Sequence, residues 1–250
     1  MKFKQAITNF NEFINSEFSS GSQTVFLHIP KTAGTLFMQY LLEIKSNPYY
    51  ITWNRIHASF KELLQRNDID TFDMVTGHFG FEHVEKFKEV NPNIVLLTVL
   101  RHPVERLISE YRYQCTEKHP TYKEFRIKFP TFDSWLVTIQ DNLQGERLVG
   151  KKNCQSDYYE LLLNTYDFIA SQDLFEVSMA IIHHKFNHKF KIKSKVNVTK
   201  NNTINQFKIS DKTKLELASR HAIDIGVYNK FSSDFNKITN EFIKFLYLRR

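Results

Sequence analysis

Thr24-Val25-Phe26-Leu27-His28-Ile29-Pro30-Lys31-Thr32-Ala33-Gly34-Thr35 is the stretch on which the fold turns. Its first six residues make a short apolar run of the kind buried in a strand, and Pro30 ends it. From Thr35 the pattern becomes helical, with Phe37, Met38, Leu41 and Leu42 directed inward. A strand, a tight turn and a helix in that order form a phosphate-binding turn. Backbone N–H groups at the helix start point outward with partial positive charge, and an anion settles there. Gly34 permits close approach of the backbone, Thr32 and Thr35 offer hydroxyls, and Lys31 adds a full charge. The spacing is not GxxxxGK[ST], because the lysine comes before the glycine and no second glycine precedes it. Ordinary nucleotide triphosphatases are thereby disfavoured. A turn with a merely solvated Lys31 has the same local form, so one motif does not decide the matter.

Working outward, Ile94 to Leu100 reads as a central strand, apolar on both faces apart from Thr98, as parallel strands tend to be. Pro103 opens the next helix at its first position, and Val104, Leu107, Ile108 and Tyr111 form its buried stripe. Asp73 to Thr76 is a strand closed by Gly77, and Tyr166 to Ala170 a further one. Helical faces are predicted around Ile56, Phe60, Leu63 and Leu64, around Leu174, Val177 and Ile181, and from Asp211 to Leu248. Phe3, Ile7, Phe10 and Ile14 predict an amphipathic N-terminal helix within residues 1–20, packed on the core. Residues 116–150 read as a long irregular region with one short helix at Phe132, Trp135 and Leu136, and residues 116–152 are expected to shape the acceptor cleft. The whole predicts a single domain over residues 1–250, α/β, with a mainly parallel central sheet flanked by helices. In such sheets ligands sit beyond the carboxyl ends of strands, here after Ile29, Thr76 and Leu100.

The second motif is Leu100-Arg101-His102-Pro103-Val104-Glu105-Arg106-Leu107-Ile108-Ser109. Together with His28 to Thr35 it resembles the two phosphate motifs of sulfotransferases that use 3′-phosphoadenosine 5′-phosphosulfate (PAPS). The resemblance is closest to the group containing heparan sulfate 2-O-sulfotransferase and its bacterial relatives, and it spans about residues 24 to 230. It implies the P-loop-like fold of that family and PAPS as sulfuryl donor. By resemblance, Lys31 contacts the oxygen bridging sulfur and phosphorus, and the loop Thr32, Ala33, Gly34, Thr35 and Leu36 holds the 5′-phosphate. Arg101 and Ser109 grip the 3′-phosphate, a task that suits the planar guanidinium fork. Val196 to Lys200 resembles a loop closing over the nucleotide, with Thr199 and Lys200 as contacts. Asp141 to Gly150 is similar to a family segment bearing glutamine and arginine. Departures are Leu36 and His102, where relatives often carry a hydroxyl residue and an aspartate, and Ala170-Ser171-Gln172-Asp173 in place of a glycine-and-glutamate pattern.

Thr76-Gly77-His78-Phe79 resembles a segment whose histidine deprotonates the acceptor hydroxyl, a role an imidazole suits. His28 and Glu82 are the rival bases, with His28 better placed for a core or loop-bracing role. The nearest relatives imply a carbohydrate acceptor, with a small alcohol, phenol or lipid headgroup left open, and a reaction that needs no metal. His183-His184-x-x-x-His188 invites a metal reading, but no acidic or cysteine partner accompanies His184 and His188, and a solvated basic face is the expected state.

Composition bounds the alternatives. With 23 Phe and 11 Tyr against 7 Gly and 6 Pro, the chain suits a packed globular protein. A net charge of +7 attracts anionic partners without choosing among them, and no basic block marks a nucleic-acid arm. No apolar run approaches the length of a membrane span, and residues 1–18 lack the pattern of a secretory signal. Cys115 and Cys154 are expected as reduced thiols, and a cytoplasmic location follows. Two other readings stay open at this stage: a phosphate-loop kinase using ATP, and a non-catalytic basic module that binds anionic glycan or nucleotide.

Overall fold

The computed structural model describes residues 2–19, 21–51, 55–66, 68–191 and 209–248. Five strands form one sheet: β1 (Thr24–Leu27), β2 (Pro48–Ile51), β3 (Met74–Gly77), β4 (Val95–Leu100) and β5 (Phe168–Ser171), in the order β2-β3-β1-β4-β5. Every pairing is parallel, as the continuous apolar runs of β1 and β4 require. Register places Leu27 beside Gly77 on one side and Thr98 on the other. The tips of β1, β3 and β4 therefore open onto one edge, with β4 reaching two residues further.

Thirteen α-helices and a short 3-10 helix (Ile69–Thr71) lie among the described residues. The N-terminal segment forms α1 (Lys4–Thr8) and α2 (Phe10–Asn15) instead of one helix. Asn9 breaks it, with φ −151° and a side chain that accepts from Glu12 N–H to cap α2. The amphipathic face still reaches the core, where Phe3 and Phe13 pack on Phe168. After β1 come α3 (Gly34–Leu41), α4 (Ile56–Leu64), α5 (Phe81–Val90) and α6 (Pro103–Gln114).

The region expected to be irregular holds the one short helix expected at Phe132, α8 (Phe132–Leu136), and, as a correction to the sequence reading, also α7 (Tyr122–Lys128) and α9 (Leu143–Val149). α7 and α9 are each too short to show a full amphipathic repeat. α7 and α8 join the outer face of α6 in a second apolar cluster around Tyr111, Phe125 and Trp135. α10 (Tyr159–Thr165) and α11 (Phe175–Lys185) flank β5 in sequence. The C-terminal helical pattern divides at His221 into α12 (Asp211–Arg220) and α13 (Ala222–Tyr247).

Candidate active site

The turn after β1 is held by three devices. Lys31 and Ala33 both adopt left-handed backbone, with φ of 68° and 67°. That conformation costs a non-glycine residue about 1–2 kcal/mol, and it folds the loop into a concave surface of amides. Thr32 is fully buried and its hydroxyl donates to Ile29 O at 2.9 Å, so this side chain braces the loop and does not face a ligand. This corrects the expectation of a hydroxyl contact from Thr32. Arg101 Nη1 donates to Lys31 O at 3.1 Å and ties the tip of β4 to the turn.

Gly34 begins α3 because a Cβ there would lie 1.9 Å from the His28 ring. The N-cap residue of α3, Ala33, offers no side-chain cap. The first amides of a helix have no carbonyl acceptor within it, so Gly34, Thr35 and Leu36 present donors at this end. Thr35 is exposed, and the Leu36 side chain packs on the core, leaving its backbone as what it can offer an anion.

Positive charge gathers beside this turn. Lys31 Nζ stands 4.1 Å from the centre of the Tyr113 ring. Burial, then the Arg101 charge, pushes Lys31 below the usual lysine range, while Glu110 opposes the shift. Burial likewise lowers Arg101, whose Nε is buried with no hydrogen-bond partner among the described residues. Ser109 is half-buried on α6, one helical turn before Tyr113. Residues four apart share a helix face, so Ser109 lies on the side of α6 that meets Lys31. Tyr113 has no role in the sequence reading.

His78 follows β3 directly. Its Nδ1 lies 2.8 Å from His28 O, and a carbonyl can only accept, so Nδ1 carries the proton and Nε2 is the basic nitrogen. Burial holds His78 below the ordinary histidine range, against the raising effect of that hydrogen bond. It is therefore neutral at pH 7, as a base must be. His28 is lowered to about 3 by burial first, then by the nearness of His78 and Lys31. Its ring stacks on Phe26 at 5.5 Å and meets the His78 ring at 4.2 Å. Those contacts give it the bracing role.

His78 lines a cleft of about 200 Å³ with His57, Glu82, His83, Glu146 and Arg147. Arg147 Nη1 donates to His78 O at 3.3 Å. Behind the cleft, Asp224 of α13 accepts from the amides of Gln144 and Gly145, both at 3.0 Å, and from Tyr158 Oη at 2.8 Å, so it anchors the start of α9 that carries Arg147. Glu82 Oε1 is 3.0 Å from His83 Nδ1, and His83 Nε2 is 3.3 Å from His57 Nδ1. The His83 contact holds Glu82 below the usual carboxylate range. α9 lies within the region expected to shape a substrate cleft, whereas α4 and α5, which supply the other wall, lie outside it. Thr199 and Lys200 lie outside the described residues.

The model of the sulfotransferase family matches residues 18–237 of this chain. The chain belongs to the sulfotransferase family. That makes it an enzyme of the PAPS-dependent sulfotransferase class, as the two motifs led us to expect. Among solved structures, the sulfotransferase is similar to mouse sulfotransferase SULT7A1, crystallised in complex with PAP. Identity is 12%, coverage 88% of this chain and 90% of that one, and the TM-score 0.47. No curated protein sequence matches the sulfotransferase significantly.

Proposed function

We propose that the protein transfers a sulfuryl group from PAPS to a hydroxyl of a saccharide, with donor and acceptor sites within one domain. The observation that carries this is the bond between Arg101 Nη1 and Lys31 O beside the uncapped start of α3. It joins two anion-binding corners at the tips of the neighbouring strands β1 and β4. The fit to a doubly phosphorylated nucleotide is supported by the left-handed pair Lys31 and Ala33 and by the unpartnered Arg101 Nε.

When bound, PAPS supplies an activated sulfuryl group on a phosphate leaving group. The amides of Ala33 to Leu36 and the Lys31 ammonium would hold the 5′ end, with Lys31 offsetting charge as it develops. Arg101 and Ser109 would hold the 3′-phosphate, and Thr199 and Lys200 are carried forward as further contacts. His78 Nε2 would take the proton of the acceptor hydroxyl. The cleft sets histidines, carboxylates and a guanidinium beside Ile56 and Leu143, and its polar groups offer hydrogen-bond partners to a polyhydroxylated acceptor. No described helix is long and apolar enough to cross a membrane. Cys115 and Cys154 form no disulfide, which supports our placement of the enzyme in the cytoplasm.

The test combines calorimetry with PAP and ATP and transfer of radiolabelled sulfate to a panel of saccharides. We expect PAP to bind in preference to ATP and at least one saccharide to be sulfated. His78→Asn keeps a donor for His28 O while removing the base, and should lower turnover by about 10²–10⁴-fold with PAP affinity kept. Arg101→Ala should chiefly weaken PAP binding. Preference for ATP would establish the kinase reading, and salt-dependent glycan binding indifferent to Lys31→Ala, without transfer, the binding-module reading.

A further inference from the structure

His183 and His188, not His184 and His188, form the histidine pair of the α11 end. α11 stops at Lys185, so the spacing that relates His184 to His188 on a helix is lost. Asn187 turns left-handed with φ 52°, and the backbone closes with Asn187 N–H to His184 O at 2.9 Å and His188 N–H to His183 O at 2.8 Å. These are the two bonds of a Schellman cap. The cap folds His188 back over His183 and sets their Nδ1 atoms 3.1 Å apart. The acid that the local sequence lacks comes from Glu43, just after α3. One ligating atom from each of Glu43, His183 and His188 lies within 4.8 Å of the others.

We propose that Glu43, His183 and His188 bind a divalent transition-metal cation of the zinc class. Zinc bonds imidazole nitrogen at about 2.0–2.1 Å in tetrahedral geometry, which sets two ligands about 3.4 Å apart. The 3.1 Å pair is already near that spacing before any metal is considered. Two nitrogens and one carboxylate oxygen are a donor set that zinc accepts, with a fourth position left to solvent. The buried His183 ring is fixed by its neighbours, Tyr40 at 5.8 Å and Phe190 at 5.4 Å, so its nitrogen is oriented in advance.

The site lies at the edge of the sheet opposite the phosphate turn. Lys45, two residues past Glu43, donates to Ser22 O ahead of β1, and Phe18 N–H donates to Lys185 O at the end of α11. A cation here would staple α3 to α11, and it acts on stability and not on sulfuryl transfer.

The full chain, stripped of metal by chelation and dialysis, is titrated with zinc chloride in a calorimeter and melted with and without zinc. One equivalent should bind, and free zinc at a hundred times the dissociation constant should raise the melting temperature by roughly 5–10 °C. Changing an outer-shell partner of a metal costs 10–100-fold in affinity, so loss of a ligand in Glu43→Gln or His188→Ala should cost about 100-fold or more. His184→Gln, at the neighbouring position, should bind zinc as the unchanged chain does. Absence of saturable binding overturns the site. So does unchanged affinity in either Glu43→Gln or His188→Ala.

Discussion

Gly34→Ala tests how the phosphate turn and the proposed base are coupled. The new methyl would stand 1.9 Å from His28 Cδ2 and 2.1 Å from Nε2, about 1.5 Å short of ordinary contact. The ring has no easy retreat, because it stacks on Phe26 at 5.5 Å and faces His78 at 4.2 Å. Either the ring or the start of α3 must yield by more than an ångström. Overpacking of this kind costs roughly 1–3 kcal/mol, a fall in melting temperature of about 3–10 °C. Alanine by itself favours helix over glycine by at most about 1 kcal/mol, so the clash sets the sign. Misplacement by about 1 Å can lower turnover on the order of 100-fold. Thermal melts, PAP calorimetry and sulfate transfer read the three effects. The decisive control is the double variant His28→Ala/Gly34→Ala, in which the ring is gone. It should be no less stable than His28→Ala alone, the non-additivity expected of touching residues. If the Gly34→Ala penalty persists without the ring, the steric reasoning is wrong.

Other outcomes follow from the same contacts. His28 and His221 are lowered to about 3 and about 4, chiefly by burial, from an ordinary 6.5. Between pH 6.5 and 4 the unfolded chain therefore binds protons that the native state refuses. Their contribution is complete above pH 6.5 and drains as pH falls, at up to about 1.4 kcal/mol per unit for each histidine; melts from pH 7 to 4.5 should show this, with a shallower slope in His221→Gln. Asp224→Ala leaves two buried amides and the Tyr158 hydroxyl unsatisfied. It should cost about 3 kcal/mol or more, read by urea unfolding, and a cost under 1 kcal/mol would refute the anchoring role. Thr32→Val removes the bond to Ile29 O and should cost about 1 kcal/mol, while calorimetry shows a smaller loss of PAP affinity than in Arg101→Ala.

The parts of the fold legible in the sequence were those whose pattern is local. β1 and β4 are buried at every position, and Pro103 marks the start of α6 as its missing N–H allows. β2 escaped because Pro48–Ile51 is an edge strand with one fully buried residue, too short for either periodicity to show. The division at His221 is invisible in a continuous apolar repeat. At the site, Lys31 and Arg101 were readable from motifs and do meet, 70 residues apart in sequence. Tyr113 beneath the lysine, Arg147 beside His78, and the His57–His83 wall arise where turns and helices distant in sequence pack together. No single stretch encodes those contacts. Glu43 and His183 belong to the same class, brought together by the ends of α3 and α11.

β1 lies between β3 and β4, so the lysine–arginine corners fall to one flank of Leu27 and the histidine-rich wall to the other. On the proposed reading, this separates the donor half of the enzyme from the half that chooses what is sulfated. α4 and α5 could be rebuilt residue by residue to admit a new substrate while Lys31, Arg101 and α6 stayed as they are. His28 is the exception, since its ring touches Gly34 on the donor side and His78 on the other. Diversification of this protein would be expected to spare that one imidazole.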